Sequence, residues 1–225
     1  MCSCFVLTSK KKGYFSALLT INVLPSERLV IRRERFGGWY PASAYVCAKT
    51  LVELVFQTIY PVLFSVLVYW LAGLVPTAGQ FFVFLAFLEL GTLVANSIAL
   101  LVSAATGRIV LAAAALPLAM EVARLYGCYY VPPATLPYYL WWLQAISYIG
   151  YPYMGVLQDQ FAGLQFSGCN VTNATNATAS CFQTGDQVLQ SLGIGFLPVF
   201  ASALVLIGFL FVLRLAAFYV VKFRP

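Results

Sequence analysis

The chain has 225 residues, of which 62% are hydrophobic and only 9% are charged, and its formal net charge is +6 at pH 7. Soluble domains carry about a quarter of their residues as charged side chains, so this composition argues against a soluble domain and excludes a disordered chain. We predict an all-α, polytopic helical membrane protein that does not bind nucleic acid. Histidine, the commonest general base and metal ligand, is absent, and we predict no catalytic residue and no metal site.

The N-terminal residues carry the weakest signal. Residues 1–13 form no interpretable pattern and stay unassigned. The apolar stretch 14–25 is about 12 residues long, whereas about 20 are needed to cross a bilayer. It lacks the cleavage pattern of a signal peptide, and we interpret it as the inner stump of a membrane helix.

Residues 26–53 are the most charged part of the chain. Ser26 can cap a helix that begins with Glu27, and Gly37–Gly38 can end it. A second helix is predicted from about Pro41. Two roles fit this region at this point: anchoring to an anionic membrane surface, or docking onto a cytoplasmic partner.

Four later stretches are apolar over a length that can cross a bilayer. The predicted spans are A (54–75), B (81–105), C (109–131) and D (193–221).

Three ionisable residues lie inside spans B and C, where an unpaired charge costs several kcal/mol. Glu89 and Arg124 lie at nearly equal distances along the chain from the turn at Gly107, so antiparallel helices place them at one depth. Glu121 lies one helical turn from Arg124. We predict that Arg124 bridges both carboxylates. The cluster either staples span B to span C or lines the path of a substrate.

Lysine and arginine mark the cytoplasmic side of a membrane protein. They concentrate before residue 50 and after residue 221, and they are absent from residues 127–193. We therefore predict cytoplasmic termini and an external loop over residues 132–192. Within that loop, residues 136–155 are rich in Trp and Tyr and are broken up by prolines, which favours a short interfacial or re-entrant element over a further span.

The rest of the predicted external loop carries three consecutive glycosylation sequons, at Asn170, Asn173 and Asn176. Cys169 and Cys181 bracket them, and an oxidising compartment permits a disulfide between these two cysteines. Two free thiols are the alternative. We predict that Cys47 and Cys128, in or near the spans, are small core residues.

The order of these residues resembles one known family, the G subfamily of ABC transporters. This is the group of the white pigment transporters, the sterol half-transporters and the breast-cancer-resistance drug exporter. The matching positions are Glu27-Arg28, Arg33-Glu34-Arg35, Gly38, Tyr40, Ala44-Tyr45, Ala48-Lys49, Glu53-Leu54, Tyr69, Gly73-Leu74, Pro76, Gly127, Pro137, Trp141, Ser147, Tyr151, Phe161 and Gly163.

The resemblance implies that residues 14–222 are part of an ABC type-2 membrane domain, with spans A to D as the third to sixth of its six helices. Glu27, Arg28, Arg33 and Glu34 then belong to a coupling helix that contacts an ATP-binding domain. The sequence contains no Gly-x-x-x-x-Gly-Lys-Ser/Thr phosphate loop. We therefore expect no cofactor on this chain, which is not an enzyme by itself, and ATP-Mg on a missing or partner ATP-binding domain.

The family also implies a function. The chain would be the membrane part of an exporter of lipid-like or amphipathic molecules that works by alternating access. Its partners would be a second half-transporter, an ABC ATP-binding domain and the lipid bilayer of the plasma membrane or another secretory-pathway membrane. The alternative is a truncated, non-transporting chain that associates with full-length half-transporters or regulates them.

Overall fold

A computed structural model describes residues 33–34, 37–39, 42–74, 77–106, 109–131, 133–165, 184–194 and 198–223. Helices dominate these residues, and the only β-type pairing among them is an isolated antiparallel bridge between Gln165 and Thr184. This agrees with the predicted all-α class. The helices are α1 (Ala42–Leu71), α2 (Ala78–Thr106), α3 (Ile109–Leu125), α4 (Trp141–Ile146), α5 (Gly150–Phe161), α6 (Gly185–Ser191) and α7 (Val199–Phe223).

Three segments of the described residues are long and apolar enough to cross a membrane: Thr50–Leu71, Ala78–Thr106 and Val199–Val220. They lie in α1, α2 and α7 and correspond to spans A, B and D. Helix α3 has 17 residues, which cover about 26 Å, less than the roughly 30 Å of a hydrocarbon core. The fourth predicted span is therefore not confirmed.

Helix α1 differs from its prediction at both ends. The predicted second helix of the charged region and span A form one continuous helix from Ala42 to Leu71. It stops before the predicted residue 75 because Gly73 takes a left-handed conformation, with φ of 59°. The amide of Leu74 then reaches back to the carbonyl of Tyr69, which closes the helix end.

Span C was predicted too long. Helix α3 ends at Leu125 instead of residue 131, because the chain turns there and Cys128 has a positive φ of 63°. A left-handed non-glycine residue does not fit inside a helix.

Span D was also predicted too long at its start, because helix α7 begins at Val199 instead of residue 193, and Gly193 and Ile194 still belong to the turn that closes the preceding short helix, α6. Gly193, with φ of 69°, ends α6, and the amide of Ile194 bonds to the carbonyl of Leu189. Helix α7 then begins after Pro198, whose carbonyl accepts the amide of Ser202.

Helix α2 is the centre of the structure. It packs against α1, α3, α5 and α7, and its inward face contributes the largest share of the main apolar core. This face consists of Phe84, Phe87, Leu88, Val94, Ala95 and Ala99, each at most 4% exposed.

Helices α2 and α7 run in the same direction. Ser97 of α2 bonds to Arg214 of α7, and further along both helices Leu100 and Ala104 cluster with Ala217 and Val220, so the contacts advance together. We call the side of the bundle where α1 ends and α2 begins the loop side, and the opposite side the terminal side. Helix α3 ends on the loop side, where α4, α5 and α6 lie.

The first helix of the charged region ends at Gly37–Gly38, as its sequence predicts. The amide of Gly37 bonds to the carbonyl of Arg33 at 3.0 Å, and the amide of Trp39 bonds to the carbonyl of Glu34 at 3.3 Å. Gly38 has φ of 71°. This is a glycine-terminated helix end, and it lies a few residues before α1 begins.

Candidate functional site

A charged pair lies at the loop-side end of α3. The guanidinium of Arg124 forms an ion pair with the carboxylate of Glu121, one helical turn earlier. The Arg124 side chain is 23% exposed and that of Glu121 is 45% exposed. The guanidinium carbon also lies 5.8 Å from the centre of the Tyr130 ring, within range of a cation–π contact. This part of the predicted cluster is present.

Glu89 does not join this pair. Within the described part of the chain, Arg124 has an ion pair with Glu121 alone, and Oε1 of Glu89 is buried without a hydrogen-bond partner. The prediction that Arg124 bridges two carboxylates is therefore wrong in this structure, and the pair does not connect α2 to α3.

Helix α5 packs on the face of α2 that carries Phe87 and Gly91. Glu89 lies two residues from each of them and therefore projects from nearly the opposite side of α2. A Cβ added at Gly91 would lie 3.5 Å from Cγ of Pro152. A Cβ added at Gly155 would overlap the ring of Phe87. The prediction failed because equal depth fixes how far two residues lie along their helices, but not the side of each helix from which the side chain projects.

The aromatic element is attached to the end of α3 by side-chain hydrogen bonds. The hydroxyl of Ser147, which is 1% exposed, donates to the carbonyl of Ala123 in the last turn of α3. The hydroxyl of Tyr148 donates to Sδ of Met120 at 2.9 Å. Both contacts satisfy polar groups inside the protein and hold the α4–α5 segment against α3.

The element consists of short helical pieces. Two single 3₁₀ turns, Pro133–Thr135 and Tyr138–Leu140, precede α4 and α5. Pro152 lies in the first turn of α5, where a proline is tolerated. Trp141 and Trp142 of α4 are exposed, at 50% and 59%.

The predicted core cysteines behave differently from each other. Cys128 is 2% exposed, as predicted, and its sulfur accepts a hydrogen bond from Nε2 of Gln144 at 2.9 Å. Cys47 is exposed, so its assignment to the core was wrong. The sequence placed it near span A without revealing which face of α1 is covered.

A second polar site lies on the terminal side, and sequence analysis did not single it out. Arg214 of α7 donates from Nε to the hydroxyl of Ser97 at 3.0 Å and from Nη1 to the hydroxyl of Thr50 at 3.1 Å. Ser97 donates its own proton to the carbonyl of Leu93 at 2.8 Å, which leaves its oxygen free to accept. In the sequence, the one indication of this site is Arg214 itself, a charged residue within the apolar span D.

On the loop side, two strand-like residues close the base of a long segment. The bridge between Gln165 and Thr184 is reinforced by a hydrogen bond from the amide of Gly185 to the carbonyl of Leu164, at 2.8 Å. Nearby, Nε2 of Gln80 at the start of α2 donates to the carbonyl of Asp159, at 3.0 Å. These contacts bring both ends of segment 166–183 to one place.

Several predicted site residues lie outside the described residues. They are Glu27, Arg28, Cys169, Cys181, Asn170, Asn173 and Asn176. Of the predicted coupling residues, Arg33 is exposed and Glu34 is half-buried.

The arrangement defines a class of protein: an all-helical membrane domain with a charged segment before its first described membrane helix. Comparison with a family model agrees, because the model of the ABC-2 type transporter matches residues 13–161. The chain belongs to the membrane-domain family of ABC-2 type transporters.

Its relatives are members of the G subfamily, as the resemblance implied. ABC transporter G family member 7 of Arabidopsis thaliana is 30% identical over 176 residues, which is 78% of this chain and 23% of that protein. The ABC transporter ATP-binding protein/permease wht-1 of Caenorhabditis elegans is 27% identical over 210 residues, 91% of this chain and 31% of that protein.

A third relative is the Broad substrate specificity ATP-binding cassette transporter ABCG2 of Bos taurus. It is 29% identical over 197 residues, which is 86% of this chain and 30% of that protein. The chain spans about a quarter to a third of the length of these relatives. The matched part is the membrane domain, and no ATP-binding domain is identified within the 225 residues.

Proposed function

We propose that this chain is the membrane-spanning part of an ATP-driven exporter of the G subfamily. ATP-Mg binds to an ABC ATP-binding domain. That domain docks onto the part of the charged region that precedes α1, residues 27–36, which we call the charged segment and assign as the coupling helix. Membership of the ABC-2 type family and the ATP-binding relatives support this proposal.

The observation that carries the proposal is the continuity between the charged segment and the bundle. The helix that contains Arg33 and Glu34 ends at Gly38, and α1 begins at Ala42. Helix α1 has 30 residues, which cover about 45 Å. A displacement of the charged segment therefore acts on a long helix that reaches the loop side.

We propose a second half-transporter as the partner in the membrane. Alternating access needs two halves that rock against each other around a central cavity. Helix α3 is exposed along much of its length, with Val110 80% and Leu118 69% exposed. A wide, apolar, uncovered face suits a partner helix or an amphipathic substrate, and we assign lipid-like molecules as the substrate class.

The ion pair of Arg124 and Glu121 then has a role in that cavity. A charge that faces lipid costs several kcal/mol, so the exposed carboxylate of Glu121 requires water or protein beside it. Because the pair lies within α3, it does not staple α3 to α2. We propose that it lines the substrate path or contacts the second half.

We propose that the loop side is external and both termini are cytoplasmic. The distribution of lysine and arginine supports this orientation. The base formed by Gln165 and Thr184 lies at the two ends of segment 166–183 and favours the disulfide between Cys169 and Cys181. The sequons at Asn170, Asn173 and Asn176 would be glycosylated in a secretory-pathway membrane.

The docking role can be tested by measuring ATP hydrolysis. The chain is co-expressed with the ATP-binding domain of a G-subfamily transporter, and the complex is assembled in lipid nanodiscs. We expect the chain to raise vanadate-sensitive ATP hydrolysis, and Arg33→Glu to remove this increase by reversing a charge at the contact.

A matched control is Asp186→Lys, a charge reversal at an exposed position of α6 on the loop side. We expect it to leave ATP hydrolysis unchanged. If Arg33→Glu and Asp186→Lys behave alike, the charged segment is not the docking site.

A further inference from the structure

Within the described structure, the side-chain hydrogen bonds of Arg214 join three long helices. Arg214 lies in α7, and its guanidinium donates to Ser97 of α2 and to Thr50 of α1. It is nine residues before the end of α7 at Phe223, or about 14 Å from that end. At this depth an arginine without partners costs several kcal/mol of stability. The hydrogen bonds of Arg214 therefore restrict the relative positions of the three helices.

The contact with Thr50 matters most because apolar packing around it is weak. Its neighbours on α1 are widely exposed: Leu51 at 62%, Val52 at 58% and Val55 at 61%. Ser97, by contrast, is completely buried on the central helix α2. One end of the guanidinium is thus fixed in the core, and the other holds a part of α1 that packing holds poorly.

The position of Thr50 along α1 places this contact where a movement of the charged segment enters the bundle. Thr50 is eight residues from the start of α1 at Ala42 and is the first residue of its membrane-crossing segment. It lies on the terminal side, which the charged segment enters. Any displacement of that segment reaches this contact before it reaches the rest of the bundle.

We propose that Arg214 is a positioning residue that clamps the terminal side of α1 to α2 and α7, so that these three helices move as one body when the charged segment is displaced. This inference rests on the proposed function, in which an ATP-binding domain displaces that segment. The clamp itself is a property of this chain and can be measured without ATP.

The decisive variant is Thr50→Val, which keeps the shape of the side chain and removes the acceptor for Nη1 of Arg214. Thr58→Val is the matched control, because Thr58 also lies on α1 and its hydroxyl bonds only within the helix, to the carbonyl of Leu54. Replacing Arg214 itself disturbs Ser97 as well and risks a general loss of folding.

The first measurement is hydrogen–deuterium exchange of the chain in lipid nanodiscs. We expect Thr50→Val to speed exchange of amides 51–55 roughly fivefold to tenfold, while amides in the loop-side half of α1 and in α2 stay unchanged. Thr58→Val should leave exchange at 51–55 as in the parent. If Thr50→Val and Thr58→Val give the same exchange, the clamp is overturned, whatever the chain's function.

The second measurement tests the mechanical role in the complex with the ATP-binding domain. A cysteine placed at the exposed Ile146 reports loop-side movement as the difference in thiol-labelling rate with and without ATP. We expect Thr50→Val to retain ATP hydrolysis but to reduce this difference at least about threefold, and Thr58→Val to retain both.

The two ways of failing are distinguishable. A full ATP-dependent difference in Thr50→Val, together with faster exchange at 51–55, would leave Arg214 as a purely structural contact and overturn the proposed coupling. If the parent chain neither raises ATP hydrolysis nor changes its labelling with ATP, the proposed function fails, while the exchange experiment still decides whether the clamp exists.

Discussion

Two arginines lie within the predicted spans, and the protein holds them in opposite ways. On the loop side, Arg124 pairs with Glu121 of its own helix and lies near Tyr130. On the terminal side, Arg214 bonds to hydroxyl groups of two other helices. The first contact is local and half exposed, whereas the second connects parts of the chain that are 164 residues apart.

The difference separates two uses of charge in a membrane domain. An arginine bonded to its own helix does not constrain neighbouring helices, so the loop-side end of α3 is held instead by the aromatic element. An arginine bonded across helices constrains all of them. We infer that the terminal side moves as one unit and that the exposed pair on α3 is available to a substrate or to a second half.

The largest expected effect is on the packing of the loop side. In Gly155→Ala, the added Cβ would overlap the ring of Phe87, which is 2% exposed and has little room to shift. We expect a loss of about 3 kcal/mol in the free energy of unfolding, measured by thermal unfolding in nanodiscs.

Two further variants check this prediction. Phe87→Leu should restore much of the stability of Gly155→Ala by making room for the methyl group. Gly208→Ala on α7 is the matched control, since nothing lies within 4 Å of an added Cβ there. Equal destabilisation in Gly155→Ala and Gly208→Ala would show that α5 does not pack on α2 as described.

The next effect concerns the terminal-side arginine. Arg214→Met removes both hydrogen bonds to Ser97 and Thr50, and we expect a loss of about 2 kcal/mol in the same unfolding measurement. Arg214→Lys keeps the charge but has no planar fork for two acceptors on different helices, so it should restore stability only in part. Full restoration by lysine would mean that charge alone matters.

A smaller effect is expected where the aromatic element joins α3. Ser147→Ala leaves the carbonyl of Ala123 without its hydroxyl partner, and we expect a loss of about 1 kcal/mol. Ser191→Ala is the control, because the hydroxyl of Ser191 bonds to Val188 within its own exposed helix. No difference between the two alanine variants would contradict the attachment.

The loop-side arginine should contribute less than its terminal-side counterpart. Arg124→Met leaves Glu121 with a 45% exposed side chain, so we expect a change of at most about 1 kcal/mol. If Arg124→Met lowered the free energy of unfolding as much as Arg214→Met, the proposed difference between the two arginines would be wrong. That result would indicate that Arg124 holds helices together after all.

The smallest effect is a pH dependence at the end of α5. Burial raises the pKa of Asp159 above its ordinary value of 3.8, and a hydrogen bond from Gln160 partly opposes this. The folded chain therefore favours the protonated carboxyl. The protonated carboxyl of Asp159 contributes its full stabilisation below the pKa that Asp159 has in the unfolded chain. This stabilisation is lost as the pH rises through the raised pKa of Asp159 in the folded chain.

We expect Asp159→Asn to weaken this decline in melting temperature as the pH rises above the ordinary aspartate pKa of 3.8. Asp186→Asn, at an exposed aspartate of α6, serves as the control. A pH profile of Asp159→Asn identical to that of the parent would show that Asp159 does not titrate in this way.

Much of the fold follows from local sequence. The uninterrupted apolar runs predicted α2 closely, and Gly37–Gly38 predicted the end of the charged helix, because a glycine with positive φ terminates a helix locally. The ion pair of Glu121 and Arg124 was also predictable, since it depends only on spacing within one helix.

What was missed depends on contacts between distant segments. The clamp at Arg214 exists because α2 and α7 pack in parallel, and no local pattern reveals which helices are neighbours. The absence of Glu89 from the ion pair has a similar cause, because the spacing along the chain does not reveal which faces of α2 and α3 meet. The early end of α3 also involves a distant residue, Ser147.

The most direct test of the proposed function is ATP-dependent uptake of a fluorescent phospholipid analogue into inside-out vesicles that contain the chain and an ABC ATP-binding domain. We expect uptake that requires ATP and the chain, is lost in Arg33→Glu and persists in Asp186→Lys. ATP hydrolysis without uptake of this or other amphipathic probes would contradict the proposal and identify a non-transporting chain.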